Sequence, residues 1–453
     1  MSSSSTPGGS ATVTLAEFAA TASFEARPDV RAEATRAFVN WAGCALGGCR
    51  EEAVEIALAA SAAEGAAPQA AVVGHKQRLS AGDAALVNCL SSSVLAFDDT
   101  HLATVTHPTG PVAAALLAVA ARQTASGQDL LDALAIGIEI QCRLSNAILL
   151  PPARSKLGLY ITGITGPVGT AAAVGRLLGL TTAQMQSAIG LAAAQSSGFR
   201  ATHGAMAGAL VPAFGARTGL FAADLAARGF TCPGNTIEAD KGFLDIFADG
   251  ADPARATQGL GVQFELFANA YKPYPCGIVI HPAIDASLAI APWVAGNAID
   301  TVTVRVHPLA LQLTDRPSPR DAFEAQVSLY HWIAVALLRG SAGVGGLREE
   351  AIHASDVAAL RSRIKAIASE DIARDGAVVE VVLATSERHI ETVTHARGSI
   401  ARPMTDQEIA EKFVDQANAA LPDLDAEAAL DACKGIAHLR DVGEPLAKAL
   451  TLV

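Results

Sequence analysis

Aromatic and charged residues are both scarce in this sequence. Aromatic side chains make up 5% of the 453 residues and charged side chains 17%, whereas 51% of the chain is hydrophobic. This apolar fraction excludes intrinsic disorder over most of the length. Alanine dominates the apolar residues and loses less free energy than other residues on entering a helix. The composition therefore favours closely packed helices over a sheet-rich sandwich.

Positive charge and long apolar runs are also lacking. The formal net charge is −12, which argues against nucleic acid as a partner because phosphate binding requires a basic surface. The apolar stretch at 112–121 ends at Arg122. It is well short of the ~20 residues that span a bilayer, so no membrane partner is expected.

Cysteine is infrequent and shows no paired spacing. The seven cysteines include no CxxC motif, and the start MSSSSTPGGS has neither the basic nor the apolar region of a secretory signal. These features predict reduced thiols and a cytoplasmic protein. Residues 1–13 are expected to form a disordered N-terminal tail.

The distribution of patterns along the chain predicts two domains. Residues 14–265 carry helical signals almost throughout, among them possible capping boxes at Ser80 and Thr181. Residues 401–453 return to helix. We expect these two segments to form one discontinuous all-α domain, with residues 266–400 inserted as a smaller α/β domain. The fold class is therefore mostly α.

Within the inserted segment, alternating residues indicate strands. TVTVRVH at 301–307 has the period-two pattern of a half-buried strand, and residues 378–383 and 389–395 predict two more. A charged amphipathic helix is expected at 357–372, between the first and second of these strands.

The most informative polar stretch is FDDTHLATVTHPTG at 97–110. It lies between two strongly apolar helices, and turn formation alone does not require so many polar or ionisable side chains. Asp98 could still serve only to cap a helix or to bind backbone. His101 and His107 are six residues apart, which is not a helical metal-ligand spacing, and no metal site is expected.

A second stretch, AYKPYPCGIVIHPA at 270–283, lies at the junction of the two predicted domains. Proline follows both Lys272 and Tyr274, which holds the segment extended. An extended hinge that presents Lys272 to an interdomain cleft is where a ligand site is expected. Cys276 is more simply explained as a small core residue, because no partner of a nucleophile is nearby.

Two glycine-rich stretches supply further candidates. GFRATHGAMAG at 198–208 contains Arg200 and His203, and arginine is suited to bidentate carboxylate binding. Arg200 could instead neutralise an aspartate between helices. Tyr160, in GLYITGITGPVG at 158–169, is either a site residue or a packed core tyrosine.

The FDDT…HP loop resembles the MmgE/PrpD family, and the resemblance extends over nearly the whole chain. It includes LLDALAIGIEIQCRL, GTAAAVGRLLGL, YKPYPCG…HPAIDA and RPSPRDAFEAQVSLYHWIAVALLRG. Members include 2-methylcitrate dehydratase, cis-aconitate decarboxylase and iminodisuccinate epimerase. The resemblance implies a large all-α domain with a smaller, chorismate-mutase-like lid, a homodimer, and no metal or organic cofactor.

The chain departs from the decarboxylase and dehydratase pattern at several positions. Gly208 and Val211 stand where those members have a lysine and a histidine, and Tyr160 and Gly277 stand at positions of decarboxylase histidines. His331 corresponds to a tyrosine expected in the lid. The retained residues are Thr100, His107 and Lys272.

Losing two acid–base groups favours a simpler reaction than decarboxylation or dehydration, namely proton removal and return beside a carboxylate. We therefore expect an isomerase, an epimerase or racemase of an amino- or imino-polycarboxylate, in which Tyr160 and Lys272 act as two bases with His107. The expected substrate-binding residues are Asp99, Thr100, His101, Arg200, His203 and His331. The alternative is a hydro-lyase acting on a citrate-like tricarboxylate, and a third hypothesis is an inactive binding homologue.

Overall fold

A computed structural model describes residues 10–452. These residues are mostly helical, with one four-stranded sheet, which confirms the predicted fold class. The first ten helices are α1 (Ala11–Thr21), α2 (Pro28–Gly48), α3 (Glu52–Ala63), α4 (Ala81–Ser93), α5 (Thr109–Ala120), α6 (Gly127–Leu149), α7 (Ile161–Leu177), α8 (Thr182–Ala193), α9 (Met206–Ala227) and α10 (Phe243–Phe247). The others are α11 (Pro253–Thr257), α12 (His281–Val294), α13 (Pro308–Thr314), α14 (Ala322–Ala325), α15 (Leu329–Arg339), α16 (Glu349–Ile352), α17 (Ser355–Arg361), α18 (Asp406–Ala420), α19 (Ala426–Lys434) and α20 (Gly443–Leu450).

The strands are short except in one sheet. They are β1 (Ala70–Ala71), β2 (Arg78–Leu79), β3 (Thr100–His101), β4 (Asn269–Ala270), β5 (Ile299–Val306), β6 (Ile364–Ala368), β7 (Ala377–Leu383) and β8 (Arg388–Val393). The four-stranded sheet has the order β6-β5-β7-β8, in which β5 and β6 are parallel and the other pairs antiparallel. The small antiparallel pair β3–β4 joins the 97–110 loop to the segment just before Lys272.

Small side chains allow the helices to pack closely. Every residue of α5 is buried, so this helix lies inside the helical layers as its composition predicts. Helix α9 packs against α7 so closely that a Cβ at Gly219 would lie 2.5 Å from the carbonyl oxygen of Pro167. These contacts set the position of the segments that precede α7 and α9.

The capping signals read from the sequence are largely confirmed. Thr181 and Gln184 form the capping box of α8, and the Ser80 hydroxyl accepts from the backbone N–H of Asp83 at the start of α4. The N-terminal prediction is wrong in part, because Ser10 caps α1 and residues 11–13 are already helical. Residues 1–9 of the predicted tail lie outside the described residues.

The prediction of a helix over 357–372 is wrong. Helix α17 ends at Arg361 and the chain then forms β6, which pairs with β5. The charged residues that suggested a helix lie partly on an exposed edge strand. Pairing with a neighbouring strand overrides the local pattern.

The C-terminal segment returns to the helical part of the molecule, as expected, where α18 packs on α2. The sheet lies within the segment predicted as the α/β domain, but the boundaries of that domain remain a prediction. By length and composition α9 is apolar enough to cross a bilayer, yet half of it is buried in the fold. All seven cysteines are free thiols, and six are buried.

Candidate active site

A cavity of about 790 Å³, including its open mouth, lies where five segments distant in sequence meet. The helical part contributes the residues on both sides of β3, the residue just before α7 and the segment between α8 and α9. The rest comes from the hinge and the residues around α13 and α14. The polar side chains that line it are Ser93, Asp98, His107, Tyr160, Arg200, His203, Lys272, Thr314 and Gln326. Five predicted site residues therefore converge on one cavity.

Lys272 is the buried cation of this cavity. Its side chain is 1% exposed, and its Nζ lies 3.2 Å from Asp98 Oδ1 and donates to the carbonyl oxygen of Ala96 at 2.9 Å. Because β4 pairs with β3 immediately before the hinge, Lys272 is brought beside the aspartate loop. A buried ammonium requires such partners, since an unpaired charge is costly away from water.

His107 lies next to this ion pair. Its Nδ1 is 2.9 Å from the Asp99 carbonyl oxygen and 3.2 Å from Thr100 Oγ1. Burial lowers the pKa of His107, although the nearby Asp98 carboxylate opposes the shift. The ring is therefore neutral near pH 7, and because a carbonyl can only accept, Nδ1 carries the proton. This leaves Nε2 as the proton acceptor.

Tyr160 lies just before α7, where its backbone N–H donates to the Gly198 carbonyl oxygen at 3.1 Å. The His203 ring packs edge-on against it at a centroid distance of 4.6 Å. Burial raises the pKa of Tyr160, and burial with the neighbouring Arg200 lowers the pKa of His203 to about 3. Tyr160 is therefore a phenol and His203 a neutral imidazole at physiological pH.

Arg200 places a second cation at the cavity wall. Its Nε donates to the Leu159 carbonyl oxygen at 3.0 Å, and its backbone N–H donates to Gly158. Burial lowers the pKa of Arg200, but a guanidinium remains charged in proteins. Its remaining N–H groups are suited to a carboxylate.

Asp99 and Thr100 do not line the cavity but lie behind its wall. Asp99 Oδ2 accepts from Thr109 Oγ1 at 2.5 Å and from the Asn269 amide. Burial raises the pKa of Asp99 to about 6. Both residues contact His107, Asp99 through its backbone carbonyl and Thr100 through its hydroxyl. Their contacts fix the histidine and give them no direct access to a substrate.

His101 and His331 are not brought to the cavity. His101 is fully buried, with Nδ1 2.7 Å from Thr104 Oγ1 and Nε2 3.1 Å from Glu265. His331, on α15, has Nε2 2.8 Å from the Gly346 carbonyl oxygen, and burial lowers its pKa to about 4. Both rings are engaged elsewhere in the fold, so the structure does not support the prediction that they bind substrate directly.

Sequence reasoning left out several cavity residues. Asp98 was weighed as a possible capping residue, yet it forms the ion pair with Lys272. Thr314 and Gln326 line the cavity from the α13–α14 region, where no local pattern distinguishes them from ordinary polar residues. Within residues 10–452, no group of three or more His, Cys, Asp or Glu side chains could hold a metal ion.

Three of the departures from the resemblance lie at the cavity. Tyr160, Gly208 and Gly277 all line it, and the two glycines place no side chain there where the resemblance implies a lysine and a histidine. Val211 does not line the cavity but packs against Gly163 and Gly198. The cavity therefore has fewer cationic side chains than the resemblance to decarboxylase members implies.

The fold and the cavity define a mostly helical protein with a small α/β region and a cavity in which acid–base side chains meet. Residues 13–256 match the MmgE/PrpD N-terminal domain and residues 274–435 match the MmgE/PrpD C-terminal domain. The chain therefore belongs to the MmgE/PrpD family.

Its curated relatives are named as enzymes. The chain is 31% identical over 228 residues to a cis-aconitate decarboxylase of Aspergillus terreus, which is 48% of this chain and 46% of that protein. The chain thus spans about half the length of this fungal relative. It is 25% identical over 375 residues to the human cis-aconitate decarboxylase, covering 79% of this chain and 77% of that protein. Membership of an enzyme family is supported; the epimerase specificity predicted from the sequence is not shown.

Proposed function

We propose that this protein is a lyase that acts on a citrate- or aconitate-like tricarboxylate. The observation that carries the proposal is the buried Lys272–Asp98 pair in the cavity wall, close to His107 and facing the same cavity as Arg200. The names of the relatives favour a lyase over the epimerase that the sequence suggested. The reaction named for these relatives is assigned to this chain only as part of our proposal.

The side chains divide into those that bind charge and those that move protons. Arg200 would hold one substrate carboxylate, and Lys272 would stabilise negative charge that develops at the adjacent carbon. His107 Nε2 is the proton acceptor, and the Tyr160 phenol is a proton or hydrogen-bond donor. This set could expel water or carbon dioxide from a carbon beside a carboxylate and protonate the product or the leaving group.

The pKa of Tyr160 argues against the epimerase scheme in which Tyr160 and Lys272 are the two bases. That scheme requires a pKa well below the usual value of about 10, whereas burial raises the pKa of Tyr160. Lys272 and His107 could still exchange a proton with substrate. Tyr160 is better suited to donate than to abstract one.

Epimerisation remains the second candidate because of one observation. Gly208 lines the cavity at the position where decarboxylase and dehydratase members carry a lysine. Without that lysine the cavity has one acid fewer to protonate a leaving group, and a reaction that only removes and returns a proton has no leaving group to protonate.

One experiment distinguishes these reactions. The protein is incubated in deuterium oxide with citrate-like and aconitate-like tricarboxylates and with an imino-dicarboxylate, and the products are followed by NMR. Formation of an unsaturated acid by loss of water, or of a dicarboxylate by loss of carbon dioxide, would support the lyase. Deuterium exchange with inversion and no net loss would select the epimerase, and binding without any turnover would favour an inactive binding homologue.

A further inference from the structure

Lys412 is a second buried lysine close to the candidate active site, and it does not line the cavity. It belongs to α18, which reaches the hinge from the C-terminal part of the chain. Its Nζ donates three hydrogen bonds, to Asn40 Oδ1 at 2.8 Å, to the Phe97 carbonyl oxygen at 2.7 Å and to the Lys272 carbonyl oxygen at 2.9 Å. All three ammonium protons are therefore used.

Two of these bonds join the two chain segments that carry the Lys272–Asp98 ion pair. Phe97 directly precedes Asp98, and the second bond goes to the backbone of Lys272 itself. The side chains of Asp98 and Lys272 meet 3.2 Å apart in the cavity wall. Lys412 therefore fixes from behind the same two segments whose side chains face the cavity.

The contact depends on a charged group with three donors. All three acceptors are neutral oxygen atoms, so the cost of burying the charge is met by hydrogen bonds and by the Phe97 ring, whose centroid lies 3.9 Å from Nζ. Burial lowers the pKa of Lys412. A neutral side chain with one donor could not hold the two backbone carbonyls and Asn40 together.

We propose that Lys412 is a positioning residue that holds Lys272 and Asp98 at their working separation. The proposal rests on the proposed function for the meaning of that separation, since a misplacement of about 1 Å at reacting groups can cost a hundredfold in rate. Arg200 is not among the contacts of Lys412, so substrate binding should depend on Lys412 much less than turnover does.

In a variant that lacks the Lys412 side chain, an added ammonium ion could take the place of Nζ. A second hollow, of about 770 Å³ including its open mouth, has Phe97, Pro273, Lys412 and Gln416 among its lining residues. Truncating Lys412 would connect this hollow to the three abandoned acceptors. A small alkylammonium ion could then enter and donate to the same oxygen atoms.

The first test compares Lys412→Ala with the wild-type protein on the tricarboxylate that the wild type turns over. We expect kcat per folded molecule to fall by about a hundredfold and KM to change by less than about threefold. Ethylammonium should restore part of kcat, whereas ethanol, which has the same shape but no charge, should not. Lys434→Ala, which removes an exposed lysine at the end of α19, is the matched control and should leave kcat unchanged.

Three results would overturn the proposal. These are an unchanged kcat, a rise in KM alone, or a loss of kcat with a lowered melting temperature that ethylammonium does not relieve. If the wild type itself turns over no tricarboxylate, the proposed function is wrong. The second test then decides whether Lys412 positions Lys272 and Asp98.

The second test is a crystal structure of Lys412→Ala and requires no substrate. We expect the Lys272 Nζ–Asp98 Oδ1 contact to be broken and the Phe97 carbonyl to move. An intact pair at the wild-type distance would show that Lys412 does not position it.

Discussion

Neighbouring residues in the aspartate loop have different surroundings and different chemistry. Asp98 points into the cavity and pairs with Lys272, whereas Asp99 points away from it and accepts from Thr109 and Asn269. The Asp99 backbone carbonyl nevertheless sets the tautomer of His107. Asp98 therefore supplies negative charge to the cavity, and Asp99 orients the His107 ring.

At this scale, Tyr160→Phe tests whether the phenol takes part in proton transfer. The substitution keeps the packing against the His203 ring and removes only the hydroxyl. Because a positioned acid typically contributes a hundredfold or more, we expect kcat to fall by about a hundredfold with little change in KM. Steady-state kinetics of the purified variant measure this, and an unaltered kcat would exclude the phenol as a proton donor.

Asp99→Asn tests the effect of burial on a carboxyl group. Burial raises the pKa of Asp99 from 3.8 to about 6, so between these values the folded protein binds more protons than the unfolded chain. The contribution of Asp99 to the free energy of unfolding is therefore fully present below the lower value. It decreases as the pH rises through the upper one.

The asparagine variant lacks this titration. Relative to wild type, its free energy of unfolding should rise by on the order of 2 to 3 kcal/mol from about pH 4 to pH 7. Urea unfolding of both proteins over this range gives the difference. A difference that is constant with pH would contradict the raised pKa.

At the scale of elements, local signals predict helix ends better than they predict the sheet. The Thr181 capping box and the span of α18 follow directly from short-range patterns. Local patterns do not predict the edge strand β6, because its register is set by pairing with β5, whose paired residues lie 62 positions earlier in the chain. A helix cap depends on neighbours in sequence, whereas strand pairing depends on the whole fold.

The contact between α7 and α9 gives a prediction about packing. Gly219→Ala places a methyl group 2.5 Å from the Pro167 carbonyl oxygen, so the helices must separate. We expect the free energy of unfolding to fall by about 1 to 3 kcal/mol. In Gly82→Ala, where the nearest atom is an Arg217 side-chain carbon at 3.6 Å, no such loss is expected, and equal losses in urea unfolding would refute the steric argument.

At the scale of the whole molecule, the cavity unites residues that lie far apart in sequence. The loop, the hinge and the Arg200 segment could each be identified from unusual polar composition, and in the structure all three line one cavity. The engagement of His101 and His331 elsewhere could not be foreseen, because a histidine in a polar stretch looks the same whether it binds substrate or Glu265.

The homodimer implied by the family resemblance remains a proposal. Phe214, Phe221 and Phe230 are 49%, 61% and 56% exposed and line one groove along α9, a cluster typical of an interaction surface. We expect Phe221→Asp to be monomeric in sedimentation velocity and wild type to be dimeric. Ile390→Asp, at an exposed site on β8, is the control, and a variant that stays dimeric would exclude this groove as the interface.

We propose that a tricarboxylate reacts in the cavity between Arg200 and Lys272, and a crystal structure with such a ligand bound decides whether it does. We expect a carboxylate on the Arg200 guanidinium and a carbon beside another carboxylate within about 3.5 Å of Lys272 Nζ. A ligand bound outside the cavity, or inside it with no contact to Lys272, would show that the reaction does not take place between these two residues.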